Sequence, residues 1–268
     1  MLDWQAMATP RRLVFGEVAD LYDRHRPTYP PGLVGDLIAD ADIPAGGRVL
    51  EVGAGTGKAT ELFAARGVAV LAIEPSAGMA GIARHKFAGD PNVAVVECDF
   101  ELWDPAGERF GLLYSAQAWH WIDPETRYAQ AHRALRPGGL LAAFWNRPVW
   151  GPSALRDAML AVYRETAPQM SADGSMHPAS SRLDEAADWG TEIAGTAQFT
   201  DPATRVYHWS QNHTAAEYTG LLGTLSEYRL LVEAQRDRIL DAVAGAIDAH
   251  GGTLRLEMGT LLCTARAV

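Results

Sequence analysis

The residues of this chain best suited to chemistry are three carboxylates and a loop of alternating glycines. Gly53, Gly55 and Gly57 lie in the loop Gly53-Ala54-Gly55-Thr56-Gly57, directly after the aliphatic run that ends at Val52. Such a loop can turn sharply and bring its backbone against a ligand at a helix N-terminus. A phosphate-cradling P-loop would need glycine at Val52 and Ser or Thr after Lys58, where Ala59 stands. The dinucleotide fingerprint would need its third glycine at Lys58, whose side chain obstructs close approach of a pyrophosphate. The loop therefore points to a small polar ligand, weakens a nicotinamide dinucleotide without excluding it, and leaves a ligand-free turn as the plain alternative.

The carboxylates narrow the choice. Glu51 sits two residues before the first glycine, within a run that reads as a buried strand, where an unpaired charge is costly and calls for a cation. A ligand ammonium group would satisfy it. Glu74 ends the next aliphatic run, 23 positions later, where an acid can accept hydrogen bonds from both hydroxyls of a ribose. Asp99 ends the third run beside Phe100, offering an acceptor for an exocyclic amine and a ring near a base; a simple turn cap is its plain reading.

These residues need a scaffold that aligns strand ends. From Arg48 to Trp145, short aliphatic runs alternate with amphipathic stretches, the pattern of parallel strands crossing over through helices. Strands are expected at Val49–Val52, Val68–Ile73, Val93–Glu97, Phe110–Ser115 and Leu140–Trp145, with helices from Lys58 to Arg66 and Ser76 to Phe87. Asp123-Pro124-Glu125 reads as a helix start and Arg136-Pro137-Gly138-Gly139 as its stop. Beyond Asn146 the period breaks into helical stretches near Ser153–Thr166 and Leu183–Ile193, then resumes with a strand at Thr204–Trp209, a long helix at Ser226–Ala249 and a last strand at Leu254–Thr264. In that helix Val232, Ile239, Val243 and Ile247 form the apolar face. The expectation is one α/β domain with a doubly wound sheet of about seven strands: 1–40 an N-terminal cap segment, 41–146 the ligand-binding core, 147–200 a helical insertion or lid, and 201–268 the elements that complete the sheet. Open sheets of this kind hold ligands beyond the carboxyl ends of their strands, the rim where all three acids fall.

Together the glycine loop, Glu51, Glu74 and Asp99 resemble the motifs of class I S-adenosylmethionine-dependent methyltransferases, most strongly over Arg48–Asn146. The resemblance implies a Rossmann-like sheet whose last strand is antiparallel. It also implies S-adenosylmethionine as cofactor, released as S-adenosylhomocysteine. The positions it assigns to the cofactor are Glu51, Gly53, Ala54 and Gly55 at the amino-acid end, Glu74 at the ribose, Pro75 and the Ser76–Met79 turn beside the adenine, and Asp99 and Phe100 at its edge. Ser115, Ala116 and Gln117 follow the fourth strand, where the sulfonium and the acceptor meet. The next residues include His120 and Trp121, and His120 reads either as an acceptor-site group or as a hydrogen-bonded core histidine. The stretch Phe15–Leu33, Phe144-Trp145-Asn146 and the tract Tyr218–Tyr228 are similar to the trans-aconitate methyltransferase branch. That likeness places Tyr22, His25, Arg26, Tyr29 and Asn146 over the cofactor or acceptor; an amphipathic helix with a solvated basic face is the alternative for the first of these stretches. It does not make trans-aconitate the substrate.

Methyl transfer from a sulfonium is an in-line displacement, so alignment is the protein's main task, worth roughly 7–11 kcal/mol in favourable intramolecular cases. A base helps only where the accepting atom must lose a proton, and His120 and His25 are the candidates. No metal is expected: there is no His-Glu-x-x-His, and His208 and His213 lack the companions of a zinc site. The chain lacks both the Asp/Asn-Pro-Pro-aromatic tetrad of amino-methylating nucleic-acid enzymes and the Pro-Cys nucleophile of cytosine-C5 enzymes. Its net charge of −10 over 268 residues is also the wrong sign for a phosphate backbone. A small organic acceptor is expected instead. With 48% hydrophobic residues, no span of about 20 apolar residues and only Cys98 and Cys263, the composition fits a globular cytoplasmic chain, neither membrane-bound nor disulfide-stapled. A nicotinamide-dependent oxidoreductase and a non-catalytic adenosyl-binding protein are the competing readings.

Overall fold

The structure is a computed structural model and describes residues 19–168, 170, 176–180 and 189–268. The start of the cap stretch and most of the helix expected at Leu183–Ile193 lie outside the described residues.

Seven strands form one sheet in the order β3-β2-β1-β4-β5-β7-β6. They are β1 (Arg48–Val52), β2 (Ala69–Glu74), β3 (Val93–Glu97), β4 (Phe110–Ala116), β5 (Leu135–Val149), β6 (Phe199–Thr214) and β7 (Thr253–Ala267). β1 to β5 pair in parallel, and β7 runs antiparallel between β5 and β6. The chain leaves β1 towards one edge, through β2 to β3, and then returns to place β4 on β1's other side. Neighbouring strand ends diverge at that reversal, and a crevice opens there.

Strand alternation divides the core. Leu50, Val52, Leu71, Ile73, Leu113 and Leu141 face one layer, which holds Trp119, Tyr128 and Ala131. Val49, Val70, Ala72, Leu112, Tyr114 and Phe144 face the other, against Leu33 and Leu37 of α2 (Pro31–Asp40) and Phe63 of α3 (Lys58–Ala64). The same period of two carries Glu51 onto the α3 side with Val49. A third apolar cluster joins the start of β7 to α6 (Ala154–Thr166), α8 (Ala215–Gly223), α9 (Ser226–Arg229) and α10 (Glu233–Ala249), with Met159, Tyr218, Leu221 and Val243 at its centre.

The remaining helices are α1 (Ala19–His25), α4 (Ala77–Lys86), α5 (Arg127–Ala134) and α7 (Trp189–Ala194). Local signals account for several boundaries. Gly67 takes φ +73° just after α3, and the Ser76 and Ser153 hydroxyls cap α4 and α6 by accepting from Met79 N and Arg156 N. Thr214 and Glu217 form a capping box on α8. Two expectations need correction. The helix expected over Ser226–Ala249 is broken after Arg229. Val232, placed by periodicity on the apolar face, instead adopts an extended backbone before α10 and is 74% exposed. β5 runs well past Trp145, because β7 continues to pair with it as far as Val149.

Candidate active site

The glycine loop is pinned to the neighbouring strand: the amides of Gly53 and Ala54 both donate to the Ile73 carbonyl, at 2.9 and 3.1 Å. Gly53 has φ +72°, and a Cβ there would run into the Ala118 methyl, so both conformation and space demand glycine. The loop's next amide reaches the ribose candidate. Gly55 N donates to one oxygen of Glu74 and Ser76 N to the other, each at 2.8 Å. An ionised carboxylate can accept about four hydrogen bonds, so two amides fix its plane without exhausting it. Glu74 thus ends β2 as a rigid acceptor between the glycine loop and the start of α4.

Glu51 is fully buried. One of its oxygens accepts from Thr60 Oγ1 at 2.5 Å and from Tyr114 OH at 2.9 Å, while the other has no hydrogen-bond partner among the described residues. Burial pushes its pKa up to about 7, against the two hydroxyl donors and with some help from the charge on Glu74. Phe63 stacks on Tyr114 with ring centroids 4.1 Å apart, which holds the phenol in place. Glu51 borders a recess of about 20 Å³ shared with Tyr22, Tyr29, Ala54 and Lys58. A buried carboxylate oxygen lacking a donor, beside a space of that size, fits the ammonium end of an amino-acid ligand.

The cap closes over this end. Arg26 donates from Nε to Thr224 Oγ1 at 2.8 Å and from Nη2 to the Thr224 carbonyl at 3.1 Å, and its guanidinium lies 4.9 Å from the centre of the Tyr22 ring. The Asp23–Lys86 ion pair, at 2.5 Å, ties α1 to α4. Tyr29 packs edge-on against Phe144, with ring centroids 4.9 Å apart.

The large cavity, about 1000 Å³, runs along the strand ends. Glu74, Pro75, Met79, Asp99 and Phe100 line it together with Gly53, Gly55, Ala116 and Gln117, and Tyr22 and Arg26 border it from the cap. Glu51, Ala54 and Tyr29 border the small recess beside it. Three expected site residues fall outside both. Ser115 is buried and donates to the Val52 carbonyl at 2.9 Å, so it fastens β4 to β1. Asn146 donates to the Thr28 carbonyl at 2.9 Å and accepts from Thr260 Oγ1 at 2.6 Å, a clamp between the cap, β5 and β7. His25 lies against Gly220 of α8, where a Cβ would come within 2.5 Å of the imidazole, and burial there lowers its pKa. It borders neither the cavity nor the recess.

After β4 the backbone bends through Gln117, which takes φ +61° and donates its amide to the Phe144 carbonyl at 2.8 Å. A left-handed non-glycine residue stores strain of order 1–3 kcal/mol, a cost typical of functional turns. The short turn Trp119–Trp121 follows and sets His120 and Trp121 on the cavity wall. Trp145 Nε1 donates to His120 Nδ1 at 3.0 Å. That bond makes Nε2 the proton-bearing nitrogen of the neutral ring.

Several lining residues escape sequence reasoning: Glu101, Arg127, Arg147 and Glu192. Trp145 and Arg147 share a face of β5 by period two, a signal available only once the strand is known to continue past Trp145. Arg127 and Glu192 meet at 2.5 Å across 65 positions, and nothing local announces such a pair.

The comparisons with known proteins bear on the family and the fold. The family described as "Methyltransferase domain" matches residues 49–139, from β1 to the start of β5. The chain is 30% identical over 243 residues to a trans-aconitate 2-methyltransferase of Paracidovorax citrulli, with 85% of each chain covered. It is 35% identical over 162 residues to an uncharacterised methyltransferase of Mycobacterium tuberculosis, and there the match spans 60% of each chain. A putative type II methyltransferase structure from Anaeromyxobacter dehalogenans shares the fold, with a TM-score of 0.60 at 23% identity over 90% of this chain and 97% of that one. A rigid acid at the end of β2, an acid at the end of β3, a glycine loop after β1 and a likeness over most of a named relative converge: the chain belongs to the S-adenosylmethionine-dependent methyltransferase family.

Proposed function

We propose that this protein transfers the methyl group of S-adenosylmethionine to a small organic acceptor. The supporting observation is the extent of the cavity, which continues from the ribose acid Glu74 past Gln117 to the ring cluster of His120, Trp121 and Trp145. Small-molecule sites usually enclose about 300–1,000 Å³, so a space at the upper end of that range leaves room for a second molecule beside the cofactor. The acidic balance of the chain favours a metabolite-sized acceptor over a nucleic acid.

When bound, S-adenosylmethionine supplies a methyl group on a positively charged sulfur. Glu74 would hold the ribose hydroxyls, Asp99 the edge of the adenine, Met79 and Phe100 its faces, and Glu51 the ammonium group. Gln117 and the glycine loop shape the cavity between the cofactor end and the rings, and the cap residues Tyr22 and Arg26 shield the amino-acid end from water. His120, donating from Nε2, orients a lone pair on the acceptor. Alignment then carries most of the rate acceleration.

The test is transfer of radiolabelled methyl from S-adenosylmethionine into a fractionated small-metabolite extract. Label in a low-molecular-mass product, lost in Glu74→Ala, is the expected result. Failure to label any fraction, with the cofactor bound, would leave a binding protein in place of an enzyme.

A further inference from the structure

We infer that Lys58 holds the carboxylate of the cofactor's amino-acid end, so that the site selects the intact zwitterion over its decarboxylated form. The inference deepens the methyltransferase reading above and rests on it.

The small recess is the closed end of the large cavity, because Tyr22, Arg26, Gly53, Ala116 and Gln117 stand on the walls of both. Two side chains of opposite charge, Glu51 and Lys58, border the recess alone. Neither is the other's partner. Glu51 accepts from Thr60 and Tyr114 and feels the charge of Glu74, whereas Lys58 lies among Asp23, Lys86 and Glu61. The recess therefore meets a ligand with an anion on one part of its wall and a cation on another. An α-amino acid carries the matching pair of charges on one carbon, so an ammonium group anchored at Glu51 brings its carboxylate to the same wall.

Lys58 has the capacity to take it. Asp23, the first acid beside Lys58, is bound by Lys86 at 2.5 Å, and Glu61 is exposed on α3. Lys58 itself makes no hydrogen bond or ion pair among the described residues, and all three of its N–H donors are available. Burial lowers its pKa against the charge of Asp23, and a carboxylate brought beside it would favour the charged form. Arg26, the other cation on this wall, directs Nε and Nη2 to Thr224 at the cap. The side chain that stands where a dinucleotide fingerprint has its third glycine thus becomes a donor to a different anion.

The experiment is calorimetry with three ligands: S-adenosylhomocysteine, its decarboxylated analogue S-(5′-adenosyl)-3-thiopropylamine, and 5′-methylthioadenosine, which lacks the amino-acid end. The native protein should bind S-adenosylhomocysteine about tenfold tighter than the decarboxylated analogue, the range of one hydrogen bond to a charged group. Lys58→Met and Lys58→Gln should each abolish that preference by weakening S-adenosylhomocysteine alone, with the other two ligands within about twofold of their native affinities. Equal binding of the first two ligands by the native protein, a preference that survives both substitutions, or an equal loss of all three ligands in the variants would each overturn the inference while the cofactor reading stands. A native protein that binds none of the three would overturn both.

Discussion

Glu51 and Glu74 are two glutamates at adjacent strand ends with opposite surroundings. Glu74 is held between two amide donors; Glu51 is buried with one oxygen lacking any donor among the described residues, and its pKa rises to about 7. The two therefore answer differently to pH. For a carboxyl group, a folded-state pKa above the unfolded value means the folded chain binds the proton more tightly. Its contribution to stability is full below the unfolded value near 4.5 and is lost as pH rises through about 7. Denaturant titrations should show the ligand-free protein losing roughly 3 kcal/mol between pH 4.5 and 8 relative to Glu51→Gln. Ligand affinity should move the other way, because an ammonium partner favours the ionised carboxylate. Calorimetry should find S-adenosylhomocysteine roughly fivefold weaker at pH 6 than at pH 7, with that dependence absent in Glu51→Gln. An unchanged pH profile in the variant would remove Glu51 from the ligand's amino group.

Among the elements, the parallel half was readable because its signals are local. Aliphatic runs, the glycine loop and Gly67 each depend on a few consecutive residues, and the strands from β1 to β4 lie within a residue of where those signals put them. The positions of the three candidate acids were legible for the same reason: each sits at or within two residues of a strand end, and the fold aligns strand ends. What stayed hidden depends on contacts between distant segments. Asn146 and Ser115 have polar side chains in the expected place, yet their partners, Thr28 and Thr260 for one and the Val52 carbonyl for the other, turn them into fasteners. Gln117 has a backbone conformation that its residue type does not advertise, and His25 lies against Gly220, nearly 200 positions away. The Arg127–Glu192–Tyr128 cluster joins α5 to α7, and α7 also hangs on the Trp189 Nε1 bond to the Thr264 carbonyl at 2.9 Å. Glu192 is 40% exposed, so screening limits the cluster to about 1 kcal/mol. Glu192→Ala should lower global stability by about that amount and speed proteolytic cutting next to α7. Unchanged cutting would show that Trp189 alone secures the helix.

Across the whole molecule, the sheet brings two sets of side chains to one rim. β1 and β2 carry Glu51 and Glu74, and Asp99 follows β3, the acids proposed to hold an adenosyl ligand; Trp145 of β5 and Leu261 and Cys263 of β7 line the cavity, and Arg26 and Thr224 meet at the cap. A cavity of this extent leaves the ligand-free protein with an unfilled core margin, and mass action should make the cofactor a strong stabiliser. A ligand at a hundred times its dissociation constant adds about 2.7 kcal/mol. For a chain of this size, S-adenosylhomocysteine should raise Tm by roughly 5–10 °C, whereas NAD at the same concentration should leave it within about 1 °C. A larger shift with NAD would revive the oxidoreductase reading that Lys58, in place of a third glycine, argues against.

The most direct check of the central assignment is a crystal structure with S-adenosylhomocysteine. The ribose hydroxyls should lie within hydrogen-bond distance of the Glu74 carboxylate, the adenine edge against Asp99 and the ammonium group against Glu51. A nucleoside bound anywhere else, or a ligand whose ribose leaves Glu74 untouched, would contradict it.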